Sequence, residues 1–201
     1  FDVRVVTPDH IQHALFDESI EVQSHEEQAQ RVWQGLKQKV SSSGIRNFYF
    51  SFLSEHIEAF QSLFDFSVYV FQSSRPVDKD YGHRDVLALA QWAKQVGREK
   101  QRMEAFVRFK KCQDGLFLSL VRPDFNVLPL IERHFKSRYQ DQKWLIYDAK
   151  RGYGVYYDLE IVEIITLDEE AQLQIQARDQ LLDQKEIDYQ KLWIEYFDHT
   201  N

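Results

Sequence analysis

The chain has 201 residues, 43% apolar and 14% aromatic, enough to close a hydrophobic core and unlike the composition of disordered, collagen-like or mucin-like chains. No apolar run approaches the roughly 20 residues needed to span a bilayer, and the aromatic stretch from residue 45 to 71 is broken by Arg46, Glu55, His56, Glu58 and Asp65. The net charge of −7 taken whole argues against nucleic acid, but it is unevenly spread, with −6 over residues 1–30, −9 over residues 158–201 and +8 between them.

The segment SHEEQAQRVWQGLKQKVSSSG opens on Ser24 and Glu27, the spacing of a capping box. It continues with Ala29, Val32, Trp33, Leu36 and Val40 at helical spacing and stops in a serine run and Gly44, which predicts an amphipathic helix. From Ile45 to Phe71 the apolar residues are too dense for a surface helix, so one long or two short buried helices are expected, ended by Pro76. The next helix sets Val86, Leu89, Ala90, Ala93 and Val96 on one face and Lys94, Arg98 and Arg102 on another. At Glu104 the apolar period falls from about 3.6 to 2, the sign of a change from helix to strand. AFVRFKK and LFLSLVR flank Asp114-Gly115, a common hairpin turn pair. A helix follows with Pro129 in its first turn and Leu128, Ile131 and Phe135 facing inward. KWLIYD and GYGVYYDLEIVEII then return to strand composition on either side of Lys150-Arg151-Gly152. Beyond Asp168 a polar tail leads to Tyr189, Leu192, Trp193 and Tyr196, spaced for a final helix.

These elements predict an α+β protein. Residues 1–103 are mainly helical, and residues 104–201 hold a small antiparallel sheet in the order strand, strand, helix, strand, strand, closed by a C-terminal helix. The two regions are expected to pack as one unit. The single cysteine, Cys112, can form no disulfide within a monomer and no cysteine-based metal site, and such usage fits a reducing cytoplasm. The sequence opens at Phe1, without methionine or signal peptide, as a trimmed chain would.

Common catalytic signatures are missing: there is no nucleophile elbow, no phosphate loop, no zinc-protease helix and no dinucleotide fingerprint. His10 and His13 share a helix-like spacing but lack a nearby third ligand, so no metal is expected. Residues 94–111 carry seven bases, Lys94, Arg98, Lys100, Arg102, Arg108, Lys110 and Lys111, against Glu99 and Glu104. Such a patch either attracts phosphates or is a solvated face balanced by the acidic ends. Arg108 projects from an otherwise core-forming segment and needs a partner, for which Asp148, at the end of another strand, is suited. The alternative is that Arg108, Arg151 and the Lys94–Arg102 stripe hold a phosphate backbone. Tyr153, between two glycines and beside Arg151, is placed to stack on a base. His134 and Asp148 are the residues suited to acid or base work, although a lone helical histidine is more often a satisfied structural group.

The blocks VGREKQRMEAFVRF, FNVLPLIERHFKSRYQDQKWLIYDAKRGYGVYYD and YQKLWIEYFDHTN resemble a bacterial family of unknown function whose members are described as probable DNA metabolism proteins. The resemblance runs from about residue 24 to 201. Glu99, Arg102, Met103, Phe106, Arg108 and Phe109 stand at family-type positions, as do His134, Phe135, Arg138, Trp144, Asp148 and Arg151. Where members tend to carry histidine this chain has Gln101, which weakens a general base on that helix. Members also begin with a strand and helix ahead of Phe1 and continue past Asn201 into a basic segment. The resemblance implies a link to DNA, a radical-SAM protein as partner, and an association with uracil-DNA glycosylase-like domains. Any iron–sulfur cluster would belong to that partner, since one cysteine cannot hold one, and no cofactor is expected here. Three readings follow. The first is a DNA-binding repair or modification factor using Lys94, Arg98, Arg102, Arg108, Arg151 and Tyr153. The second is an enzyme acting on DNA or nucleotides through Asp148 and His134. The third is a protein-binding module whose acidic ends dock a basic partner.

Overall fold

The computed structural model describes residues 3–6, 20–112 and 115–166. The expected C-terminal helix and the His10/His13 pair lie outside these residues. The protein is α+β and divides into two compact units. One comprises residues up to Arg102 together with Phe125–Val127, and the other comprises Met103–Asp124 and the residues from Leu128 onward.

The first unit is helical. Helix α1 spans Glu26–Lys39, α2 Ser42–Phe52, α3 Ile57–Gln72 and α4 Arg84–Phe106, the last four residues of α4 belonging to the second unit. The expected capping box is not formed: α1 begins after His25, whose side chain makes no capping bond, and Glu26 and Glu27 instead sit in the first turn, where the helix dipole favours acids. The serine run does not simply end α1. Ser41 caps α2 by accepting the Gly44 N–H at 3.2 Å, the task for which serine is favoured. Gly44 is then required by space, because a Cβ there would lie 2.5 Å from Val40 Cγ1 and 2.9 Å from Asp78 Cβ. The dense apolar stretch resolves into two helices, α2 and α3. Leu36, Leu63, Phe66, Val70, Val86 and Leu89 form the core of this unit, each contributing on the order of 1.5–3 kcal/mol by leaving water.

The second unit is built on a sheet of β1 (Lys110–Lys111), β2 (Phe117–Val121), β3 (Trp144–Asp148), β4 (Tyr153–Tyr157) and β5 (Val162–Thr166), with helix α5 (Leu128–Arg138) between β2 and β3. The strands lie in sequence order. Three neighbouring pairs are antiparallel, but β2 and β3 are parallel, with Phe117 opposite Trp144 and Val121 opposite Asp148. The sheet is therefore mixed rather than wholly antiparallel, since the connection through α5 returns the chain to the starting end. The stretch expected as one final strand is a hairpin: Asp158 Oδ1 accepts the N–H groups of Glu160 and Ile161, both at 2.8 Å, and turns β4 into β5. Helix α4 also runs past Glu104, because Val107 N–H still donates to Met103 O at 3.0 Å, and β1 is only two residues long. Leu128, Ile131 and Phe135 face inward as expected, with Trp144, Ile146, Val155 and Tyr157 from the sheet. Strand β3 is buried along its whole length, because Leu145 and Tyr147 pack with Leu118 on the opposite face.

Candidate nucleic-acid interface

Helix α4 sorts its residues by charge as well as by polarity. Between Arg84 and Arg102 it turns Val86, Leu89, Ala93 and Val96 inward. The two carboxylates in that stretch, Asp85 and Glu99, are buried with them, at 4% and 5% exposure. What remains exposed after Arg84 is Leu87, Gln91, Lys94, Gln95, Arg98, Gln101 and Arg102, a surface of bases and amides without an acid. Lys94 and Arg98 have no ion pair among the described residues, whereas Arg102 is held by Glu99, its Nη2 lying 2.7 Å from Oε1 and 2.6 Å from Oε2. Four residues of helix advance about 6 Å, so Lys94 to Arg102 covers roughly 12 Å, or three to four nucleotides at about 3.4 Å each. The three bases are legible in the sequence as a stripe; the glutamines and the burial of both acids are encoded only in the positions of Asp85 and Glu99 relative to Val86, Leu89 and Val96.

The remaining expected residues lie in the second unit, in several roles. Arg108 is exposed between buried Val107 and half-buried Phe109, so burial alternates as expected, but these residues form no strand: α4 runs to Phe106 and β1 begins only at Lys110. Its partner is not Asp148: Nη1 donates to the carbonyls of Ala105 at 3.1 Å and Val107 at 3.4 Å. Asp148 is fully buried and pairs with Arg151, three residues on, at 2.8 Å. Its other oxygen accepts the N–H groups of Lys150 at 2.9 Å and Arg151 at 3.2 Å. This local turn brings the guanidinium back to the carboxylate, so no partner from a distant strand is needed. Arg151, only 10% exposed, also donates to Pro123 O and Asp124 O, each at 3.1 Å. The pair fastens the β3–β4 turn to the segment after β2, a role inside the fold. Tyr147, buried beside it, has its phenol pushed above the usual range by burial and by the Asp148 charge.

Tyr153 begins β4 opposite Asp148 and packs half-buried against the core, so its ring is not presented on an open turn. His134 lies midway along α5, with Nδ1 3.8 Å from Glu104 Oε1 and its ring edge-on to Phe135. It makes no contact with Asp148, and the two residues suited to acid and base work are not a pair. Among the described residues no helix is long and apolar enough to cross a membrane.

No curated protein and no solved structure matches the chain. Residues 57–201 match a family described only as a domain of unknown function, DUF4130, a match that starts later than the resemblance expected from residue 24 and takes in all of α3, α4 and the sheet. The chain belongs to the DUF4130 family.

Proposed function

We propose that the protein is a DNA-metabolism factor that binds nucleic acid through the exposed face of α4, with Lys94 and Arg98 contacting phosphates and Gln91, Gln95 and Gln101 supporting them. The observation that carries this reading is the charge sorting on α4: a chain of net charge −7 buries both carboxylates of that stretch and leaves only bases, amides and a leucine outside. Lysine, arginine and glutamine are the side chains that position proteins on phosphate backbones. The resemblance to DNA metabolism proteins supports DNA as the polymer and a radical-SAM protein as a working partner. Arg102 contributes less, because Glu99 already neutralises it, and Arg151 is left out because its guanidinium serves the fold.

The test is fluorescence anisotropy of labelled single-stranded and duplex DNA at two salt concentrations, with the Lys94→Gln, Arg98→Gln double variant alongside. Binding weakens with salt, and the variant loses two phosphate contacts, lowering the log–log salt slope by about 1.4 on single strands or 1.8 on duplex. No binding at low salt, or binding that the variant leaves intact, overturns the proposal.

A further inference from the structure

Helix α3 is apolar on two opposite sides. Ala59, Leu63, Phe66 and Val70 are buried in the first unit, while across the helix Phe64 and Phe71 are exposed and Phe60 and Val68 half-buried. A helix that is apolar all round is ordinarily covered all round, which is what the density of apolar residues from Ile45 to Phe71 predicts. The structure instead leaves one face of α3 in water.

That face continues onto the neighbouring helices as a trough of about 740 Å³, reaching Val32 of α1 and Phe48 and Phe52 of α2. Val32, Phe52, Phe64 and Phe71 are each between 37% and 51% exposed, and none of the described residues lining the trough is charged. With about 150–250 Å² on an aromatic side chain, these four residues keep roughly 300 Å² of apolar surface in water, a size at which a patch is often functional. The half-buried rings of Phe48 and Phe60 beside them bring one copy toward the roughly 450 Å² of apolar area within the ~800 Å² that each side of a standard interface buries.

The spacing of the face tells what fits it. Phe60, Phe64, Ser67 and Phe71 follow one another by 4, 3 and 4 residues, the a/d seam of a coiled coil, and this spacing reads the same in both directions. A second α3, turned antiparallel about the midpoint between Asp65 and Phe66, sets Phe71 opposite Phe60 and Ser67 opposite Phe64. At the centre each large ring then meets a small side chain, as interdigitating layers require. A parallel pair would stack Phe64 on Phe64, leave Ser67 facing Ser67 across a gap, and bring together the two Glu58 carboxylates of the first turns. Charge points the same way: across a two-fold axis the same patch meets itself, so a chain of net charge −7 associates with itself best through a face that carries none.

We propose that the protein forms a two-fold symmetric dimer through this trough, with α3 packed antiparallel on the α3 of a second copy and Val32 and Phe52 flanking the seam. The dimer goes beyond the α4 reading and uses none of its residues. A monomer that binds DNA and a dimer that does not would therefore tell the two apart.

The experiment is sedimentation equilibrium of the 201-residue chain at micromolar concentrations, beside Phe64→Glu. The wild type tends to twice the mass of the chain. Phe64→Glu raises the dissociation constant about a hundredfold or more, because each copy would bury an unpaired carboxylate, while its circular dichroism stays that of the wild type. Register is read separately by cross-linking, with Cys112→Ser as the background. Phe60→Cys, Phe71→Cys oxidises to a covalent dimer, since eleven residues of helix separate the two positions by about 16 Å, too far for a bridge within one copy; neither single variant links. A wild type at the mass of one chain throughout overturns the proposal and leaves the trough to another partner or to the chain's own residues. A dimer that Phe64→Glu leaves intact overturns it too, as do single cysteine variants that link as readily as the double, for those would place the helices parallel.

Discussion

Replacing Arg151 by alanine tests whether that arginine belongs to the fold or to a nucleic-acid surface. The substitution removes side-chain bonds that include those to Asp148 Oδ2 at 2.8 Å and to the carbonyls of Pro123 and Asp124 at 3.1 Å. It leaves a carboxylate with no exposed surface relying on the two backbone N–H groups that reach its other oxygen. Removing one partner of a buried pair costs about 3–5 kcal/mol, and because those two N–H groups remain, the lower end applies, about 3 kcal/mol. Asp148→Asn is no milder, at about 2–3 kcal/mol: with the amide oxygen kept on the two backbone N–H groups, the amide NH2 faces the Arg151 guanidinium, donor against donor, and the whole side-chain contact is lost. Arg151→Lys is milder than either, since the ammonium keeps the charge beside Asp148 but cannot reproduce the planar fork that also reaches the carbonyls of Pro123 and Asp124. Urea unfolding gives the totals, and hydrogen exchange at the amides of β3 and β4 localises the loss. An Arg151→Ala protein that loses less than about 1 kcal/mol while DNA binding falls would instead put the guanidinium on a ligand.

The other predictions concern the same sheet. Gly154 sits in β4, where an added Cβ would lie 2.8 Å from Leu145 Cδ1 and 3.0 Å from the Ile146 carbonyl oxygen; a backbone atom in a central strand cannot yield, so Gly154→Ala destabilises by about 1–3 kcal/mol in the same unfolding assay. The Asp158 carboxyl is held below its usual range by the N–H of Glu160 first and that of Ile161 second. A lowered folded pKa means that its contribution to the β4–β5 turn is complete above the ordinary carboxylate value and is lost as pH falls through the lowered one. The amide shifts of Glu160 and Ile161, followed on acidification, should therefore hold constant through mildly acid pH and move only below it. A transition at the ordinary carboxylate pKa would contradict that turn.

What the sequence disclosed depended on whether an element's signal is periodic or local. The buried face of α4 was legible because Val86, Leu89, Ala93 and Val96 follow the helical repeat and are the residues buried. The inward face of α5 was legible likewise, and Pro129 marked its first turn. The β4–β5 turn was not, since it is made by Asp158 with Leu159 at a φ of 97°, a position where glycine is usual and leucine gives no warning. The end of α4 was misplaced because Val107 and Phe109 alternate with Arg108 as a strand would, although the helical hydrogen bond to Met103 persists.

The candidate sites divide in the same way. Lys94, Arg98 and Arg102 were visible as an i, i+4, i+8 stripe. The Asp148–Arg151 pair was hidden in a turn whose return geometry composition does not express. The small pocket lined by Phe109, Phe117, Tyr139 and Trp144 was invisible for another reason: its walls come from the segment ahead of β1, from β2, from the residues just past α5 and from β3. Only the parallel pairing of β2 with β3 brings Phe117 opposite Trp144.

Whether the exposed face of α4 holds nucleic acid is decided by the salt dependence of DNA binding in wild type and in Lys94→Gln, Arg98→Gln, measured side by side by anisotropy. If it does, the wild type binds in a salt-sensitive way, and the variant shows affinity and salt slope both reduced by about two phosphate contacts. Equal slopes in the two proteins, or no binding by the wild type at low salt, would contradict it.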